Sequence, residues 1–255
     1  MLLVVDIGNT NVTFGVFQGE ELARAWRIRT DTTRSPDEYG VLLLGMLGHE
    51  GFEAAGIAAV ALSSVVPALT AVFAEVAARY FGREGVFVRP GSDTGVTLDV
   101  DHPSEVGPDR IANVVATREL YGAPAVAVDF GTTTNFDVVG PDGAFVGGAF
   151  LPGIRISMDA LFSRATLLRP VDLAEPASVI GRNTVDCLQS GLYYGFLGQM
   201  EMMLHRILDE LDTPAVVVAT GGLADVIASG SPLVNHVDPY LTLKGLELIH
   251  RRAVA

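Results

Sequence analysis

The chain writes one short pattern twice. LLVVDIGNTN at residues 2–11 and AVAVDFGTTTN at residues 125–135 each run an apolar strand into Asp-x-Gly and a hydroxyl-bearing residue, with Asp6 and Asp129 123 positions apart. A short apolar run that stops at an aspartate reads as a buried strand whose last side chain reaches the sheet edge. The glycine and small polar residues beyond it let backbone N–H groups approach an anion. At the same offset Val5 matches Val128, Gly8 matches Gly131, Thr10 matches Thr133 and Val16 matches Val139, and the turns QGE and PDG coincide. A duplicated α/β unit is therefore expected. One such turn alone reads most simply as a tight hairpin with a turn aspartate. Two of them, facing each other, would bring both carboxylates to a single metal–triphosphate.

The rest of the chain fits two copies of one unit. LLVVD, NVTFGVFQ and LARAWRIRT read as a three-stranded antiparallel meander. SPDEYGVLLLGMLGHEG then carries helix punctuation: Ser35 as cap, Pro36 at the first helical position and Gly51 at the end. Strand IAAVALSSV, a helix opening at Pro67 and strand GVFVRP complete a βββαβαβ order. In the second half strands AVAVD, TTNFDVV and AFVGGAFLPG lead to a helix from about Ile154 and a long helix around 184–212. Strand AVVVATGG, a helix, strand LVNHV and the closing helix LTLKGLELIHRRA follow. The two halves are expected at 1–118 and 119–255, joined by the helix IANVVATRELYG. The 255 residues suffice for two domains of ordinary size.

Composition limits the partners. Lys+Arg 17 against Asp+Glu 30 leaves a formal charge of −13, which opposes a nucleic acid or an anionic membrane surface as partner. Lys244 is the sole lysine, so no lysine stands in either turn and no P-loop is present. The longest apolar stretch, 56–80, is broken by Ser63, Ser64 and Pro67 and reads as strand, loop and helix instead of a membrane span. Cys187 stands alone, which excludes an intrachain disulfide, fits a reducing cytoplasm, and reads as packing more than as a nucleophile. His49, His102, His205, His236 and His250 have no spacing that suggests a metal site. Met200, Met202 and Met203 on the long helix fill either a core or a subunit interface.

Two further motifs carry chemistry. In VVVATGGLAD, Gly221 and Gly222 leave room for a flat ring against bare backbone, or form a plain strand-to-helix link. In VGPDRIAN, Asp109 either caps the helix that follows or orients an acceptor hydroxyl and takes its proton, with Arg110 beside it to pair with a substrate carboxylate.

DIGNTN, DFGTTTNFD and ATGG, in that order, resemble the sugar kinase, Hsp70 and actin superfamily. VGPDRIAN, GGAFLPG and GRNTVDCLQSGLYYG narrow the resemblance to type III pantothenate kinases. That resemblance implies an α/β fold of two duplicated ribonuclease-H-like domains with the ATP cleft between them. It also implies an ATP-dependent transfer to the 4′-hydroxyl of pantothenate at the start of coenzyme A synthesis. ATP contacts fall on Asp6, Ile7, Gly8, Asn9, Thr10, Asn11, Val12 and Thr13, with Thr132, Gly221 and Gly222, and magnesium accompanies ATP at Asp6. Asp129 is implied as the ligand of a monovalent cation, potassium or ammonium. Gly107, Pro108, Asp109, Arg110 and Thr184 are implied for pantothenate, with Asp109 as proton acceptor. A homodimer in the cytoplasm is implied too. Pro108 and Val100 depart from the residues usual there, a small residue and an aromatic one. The competing readings are a superfamily kinase for a sugar or another small alcohol, a non-catalytic ATP-gated regulator, and plain ATP hydrolysis.

Overall fold

The computed structural model describes residues 1–254. Contacts divide the described residues into two compact units: 1–96, 101–116 and 241–254 form the first, and 97–100 with 117–240 form the second.

The first unit begins with β1 (Leu2–Ile7), β2 (Asn11–Gln18) and β3 (Glu21–Arg29), the expected antiparallel meander. α1 (Pro36–His49), β4 (Ala59–Ser64), α2 (Pro67–Phe81) and β5 (Gly85–Phe87) follow, with β4 parallel to β1 and β5 parallel to β4. The sheet order is β3-β2-β1-β4-β5. Local chemistry sets the helix ends. Ser35 and Glu38 exchange hydrogen bonds in a capping box before Pro36, and α2 stops where Gly82 turns left-handed at φ 63°. Alternate residues of β1 and β2, among them Leu3, Val5, Val12 and Phe14, bury against Tyr39, Leu43, Leu69 and Phe73 of the two helices. Removing that apolar surface from water is what fixes the sheet's register.

α3 (Pro108–Tyr121) leaves the first unit after Ala116 and enters the second. There β6 (Ala125–Phe130), β7 (Thr133–Val139) and β8 (Phe145–Pro152) repeat the meander. α4 (Ile154–Arg164), α5 (Thr184–Leu211), β9 (Val216–Gly221), α6 (Ala224–Ala228) and β10 (His236–Val237) complete an order β10-β9-β6-β7-β8. Read from the other edge, it matches the first sheet strand for strand. β10 is shorter than the expected LVNHV because the Asn235 side-chain oxygen accepts the Val217 N–H at 2.7 Å, in place of a ladder bond.

Two expectations are corrected by this arrangement. The 123-residue offset holds for β1 and β6 but slips by one beyond the turn. Val16 pairs with Leu3, whereas the corresponding partner of Val126 is Val138, not Val139. The reason is length: residues 8–11 separate Ile7 from Val12, but only 131–133 separate Phe130 from Thr134. The other concerns α7 (Leu241–Val254), assigned by sequence order to residues 119–255, which packs on β1, β2 and β4 of the first unit. Gly245 makes this possible, since a Cβ there would lie 2.0 Å from the Ala112 carbonyl oxygen, and Thr242 donates to the Asn113 side-chain oxygen at 2.7 Å. Leu243 then fills the face of the first sheet opposite α1 and α2, 3.1 Å from where a Gly15 Cβ would stand.

Candidate active site

β1 delivers Asp6 to the end of its strand, on the α7-facing side, next to Ser63 of β4. The Ser63 hydroxyl donates to the Asp6 carboxylate and so fixes its direction. Past Asp6 the chain turns tightly, with the Gly8 N–H on the Asn11 carbonyl at 3.0 Å. A Cβ on Gly8 would lie 3.0 Å from that same oxygen. Thr30, just past β3, holds the turn from outside: its N–H donates to the Thr10 carbonyl at 3.0 Å and its hydroxyl to the Gly8 carbonyl at 2.6 Å. With these carbonyls tied back, the exposed Asn9 and Thr10 are presented outward. Ile7 and Val12 are buried and anchor the turn in the core, while Asn11 and Thr13 are half-buried. A tight turn beside one oriented carboxylate is suited to a phosphate carrying a divalent cation.

Asp109 stands in the same unit and close to this turn. Gly107 precedes α3, its carbonyl accepting the Ile111 N–H at 3.1 Å, and Pro108 takes the first helical position where its missing N–H costs nothing. Asp109 is therefore inside the first turn and is not the helix cap. Its carboxylate folds back over Gly107, so that a Cβ there would meet Oδ1 at 2.5 Å, and it accepts the Arg110 N–H at 2.8 Å. On the other side Gly107 approaches Val65, whose N–H donates to the Ile7 carbonyl at 3.1 Å. Val65 thus joins the start of α3 to the Asp6 turn. Burial pushes the Asp109 carboxyl above the usual carboxylate range, against the pull of the Arg110 backbone N–H and guanidinium. A buried carboxyl raised above its usual range is the kind of group that can accept the proton of an alcohol.

The second unit builds its own turn around Asp129. The Gly131 N–H bonds the Thr133 carbonyl at 3.0 Å, and Gly153 at the start of α4 lies so close to Thr132 that a Cβ would fall 1.9 Å from its carbonyl oxygen. Gly221 ends β9 at φ 93°, and a Cβ there would meet Asp129 Oδ1 at 2.5 Å. The close approach of Asp129 is thus one physical demand for a glycine at 221, alongside any ring on its backbone; Gly222 is exposed beside it. Thr184 is the exposed first residue of α5, capped by the Asn183 side chain, and sits apart from the Asp129 turn in sequence and element. Among the described residues no three of His, Cys, Asp and Glu converge as a metal cage. A cation here would take single carboxylates, carbonyls and phosphate oxygens, the donor set that suits magnesium with a nucleotide.

Sequence reasoning missed Ser63, Thr30 and Val65. The signal for Ser63 was present in ALSSVVP, a strand ending in hydroxyls, as in VVVATGG, where Thr220 opposes Asp129 across β9. Thr30 and Val65 act through backbone contacts that no residue pattern announces. Cys187, expected to be packed, is exposed. Of the methionines, Met200 is buried and Met202 is exposed.

The chain is similar to known proteins over its whole length. A family model for type III pantothenate kinase matches residues 2–206. A type III pantothenate kinase from Salinispora arenicola is 47% identical over 254 residues, covering 100% of both chains. Among solved structures, a Campylobacter jejuni protein assigned to the Baf family of transcriptional activators superposes with TM-score 0.64 at 18% identity, over 99% of this chain and 98% of that one. A Sinorhizobium meliloti protein assigned as a 2-dehydro-3-deoxygalactonokinase gives 0.61 at 15%, over 99% and 96%. These two carry the fold alone: an α/β pair of duplicated ribonuclease-H-like domains. With the full-length match in sequence, the chain belongs to the type III pantothenate kinase family.

Proposed function

We propose that this chain transfers the γ-phosphoryl group of ATP to the 4′-hydroxyl of pantothenate, with Asp109 as proton acceptor. The observation that carries the reading is the placement of the Asp109 carboxylate over Gly107, one residue contact from the Asp6 turn through Val65. Phosphoryl transfer asks little covalent chemistry of a protein and much positioning. Asp6, Gly8, Asn9, Thr10 and Asn11 hold the phosphates, flanked by Ile7, Val12 and Thr13. Thr132 touches the same nucleotide, and Gly221 and Gly222 give its base a backbone floor. Gly107, Pro108, Arg110 and Thr184 hold pantothenate, the Arg110 guanidinium opposite its carboxylate. Magnesium bound with ATP near Asp6 supplies charge neutralisation of the transferring group. Asp129 offers its carboxylate to potassium or ammonium.

A coupled assay with ATP, magnesium and potassium is expected to show ADP release that depends on pantothenate. Release no faster than without it removes the reading. Release with a sugar or another small alcohol instead would assign the site to a different acceptor. Equal release with no acceptor at all would leave plain hydrolysis.

The working form is a homodimer in the cytoplasm, acting on small molecules and on neither nucleic acid nor membrane. Among the described residues, no helix is long and apolar enough to cross a membrane. Exposed apolar surface supports the pairing, part of it on α5, where Met202 is 57% exposed and Val185 51%. Tyr193, Leu197, Met200 and Leu204 are buried, while Leu167 is 93% exposed and Ile180 80%, with Phe150, Ile156, Val179 and Val185 also exposed. Light scattering should give twice the chain mass of 26.9 kDa; a fully active monomer at micromolar concentration would exclude the dimer.

A further inference from the structure

One row of residues crosses the first sheet. The registers align Ser63 of β4, Asp6 of β1, Thr13 of β2 and Arg27 of β3, and set Arg29 opposite Asn11. Alternation along β3 separates its two faces. Trp26 and Ile28 pack with the core beneath α1 and α2, so Arg27 and Arg29 stand on the other face, with Asp6 and Thr13. Both are exposed. Among the described residues neither side chain enters a hydrogen bond or an ion pair, whereas Arg24 is engaged by Glu50, Arg34 by Asp31 and Arg79 by Asp37 and Glu75. Thr30, the next residue after Arg29, is bonded to both carbonyls of the phosphate turn. The end of β3 is thereby fixed against the turn, with its two uncommitted guanidinium groups on the side where Asp6 points.

We propose that Arg27 and Arg29 form the cationic wall of the polyphosphate site, Arg29 beside the turn and Arg27 beside Asp6. This rests on the reading of the Asp6 turn as the nucleotide's phosphate site. A polyanion approaching a chain of charge −13 with Asp6 in the turn meets repulsion. The turn contains no lysine, and its backbone N–H groups carry only partial charges. Adjacent strands lie roughly 4.8 Å apart, so Arg27 stands about two strand spacings from Asp6, within reach of a long side chain. Guanidinium groups suit this role because they meet phosphate oxygens in pairs and stay charged at any working pH. The ligand chemistry they select is a di- or triphosphate, since a monophosphate leaves the wall untouched.

Calorimetric titration of the full chain with magnesium and ATP, ADP or AMP tests this, using R27Q, R29Q, the double variant, R27K/R29K and R24Q. The double variant is expected to weaken ATP and ADP about tenfold or more and to flatten the salt dependence. AMP and the R24Q variant should change little, and R27K/R29K should recover part of the loss. Unchanged ATP affinity and salt dependence in R27Q/R29Q, with melting temperatures intact, overturn the wall. Gly8→Val, whose Cβ enters the turn, separates the two claims. If it abolishes ATP binding while R27Q/R29Q does not, only the wall falls. If it too binds ATP normally, the phosphate turn and the wall fall together.

Discussion

Asp109→Asn is expected to lower kcat for pantothenate phosphorylation on the order of a hundredfold or more, with the KM for ATP near the wild-type value. The amide keeps the shape that packs over Gly107 but cannot take the acceptor proton. A second signature is the pH profile. Burial raises the Asp109 carboxyl, so the active ionised form is lost as pH falls through a value above the ordinary 3.8, and the acidic limb of kcat/KM should reflect it. The Asn variant should lack that limb. Stability has the opposite sign. A carboxyl whose folded pKa is raised favours folding while protonated, and that contribution is lost as pH rises through the folded pKa. At neutral pH the Asn variant should therefore melt no lower than wild type. Gly107→Ala supplies an independent displacement, because its Cβ would meet Asp109 Oδ1 at 2.5 Å, and kcat should drop on the order of tenfold or more from misplacement alone. Near-normal turnover in folded Asp109→Asn would reduce Asp109 to a helix-start residue.

Activity should rise steeply as potassium or ammonium is titrated into a sodium- or Tris-buffered assay with magnesium saturating, and that response should vanish in Asp129→Ala while persisting in Thr132→Ala. ATP carries roughly four negative charges, of which a magnesium ion offsets about half. On the proposed function, the Asp6, Asp109 and Asp129 carboxylates add repulsion. Asp129 is half-buried and stands one residue before the end of β6 with Oδ1 directed across Gly221, a position from which one carboxylate and neighbouring carbonyls can present oxygen ligands. A flat potassium response sinks the site, and a response surviving in Asp129→Ala moves it elsewhere.

Much of the fold was written locally. Ser35, Pro36 and Glu38 determine where α1 starts, Gly82 where α2 stops, and the apolar alternation of NVTFGVFQ its burial, because each depends on residues within a few positions. The duplication and the identity of both Asp-Gly turns could likewise be read directly, as could the Gly-x-Asp-Arg segment. The site's supports could not. Ser63 is 57 residues from Asp6, Thr30 22 from Gly8, and Val65 meets Ile7 through a backbone bond that any side chain would permit. Two βββαβαβ-type units and the carboxylates near their strand ends follow from periodicity and turn chemistry. The return of α7 to the first sheet, the second turn's one-residue-shorter register, and the placement of Gly107 and Gly221 each under a carboxylate came from long-range packing. These are consequences of close approach between distant segments, where the absence of one Cβ matters and no local pattern records it.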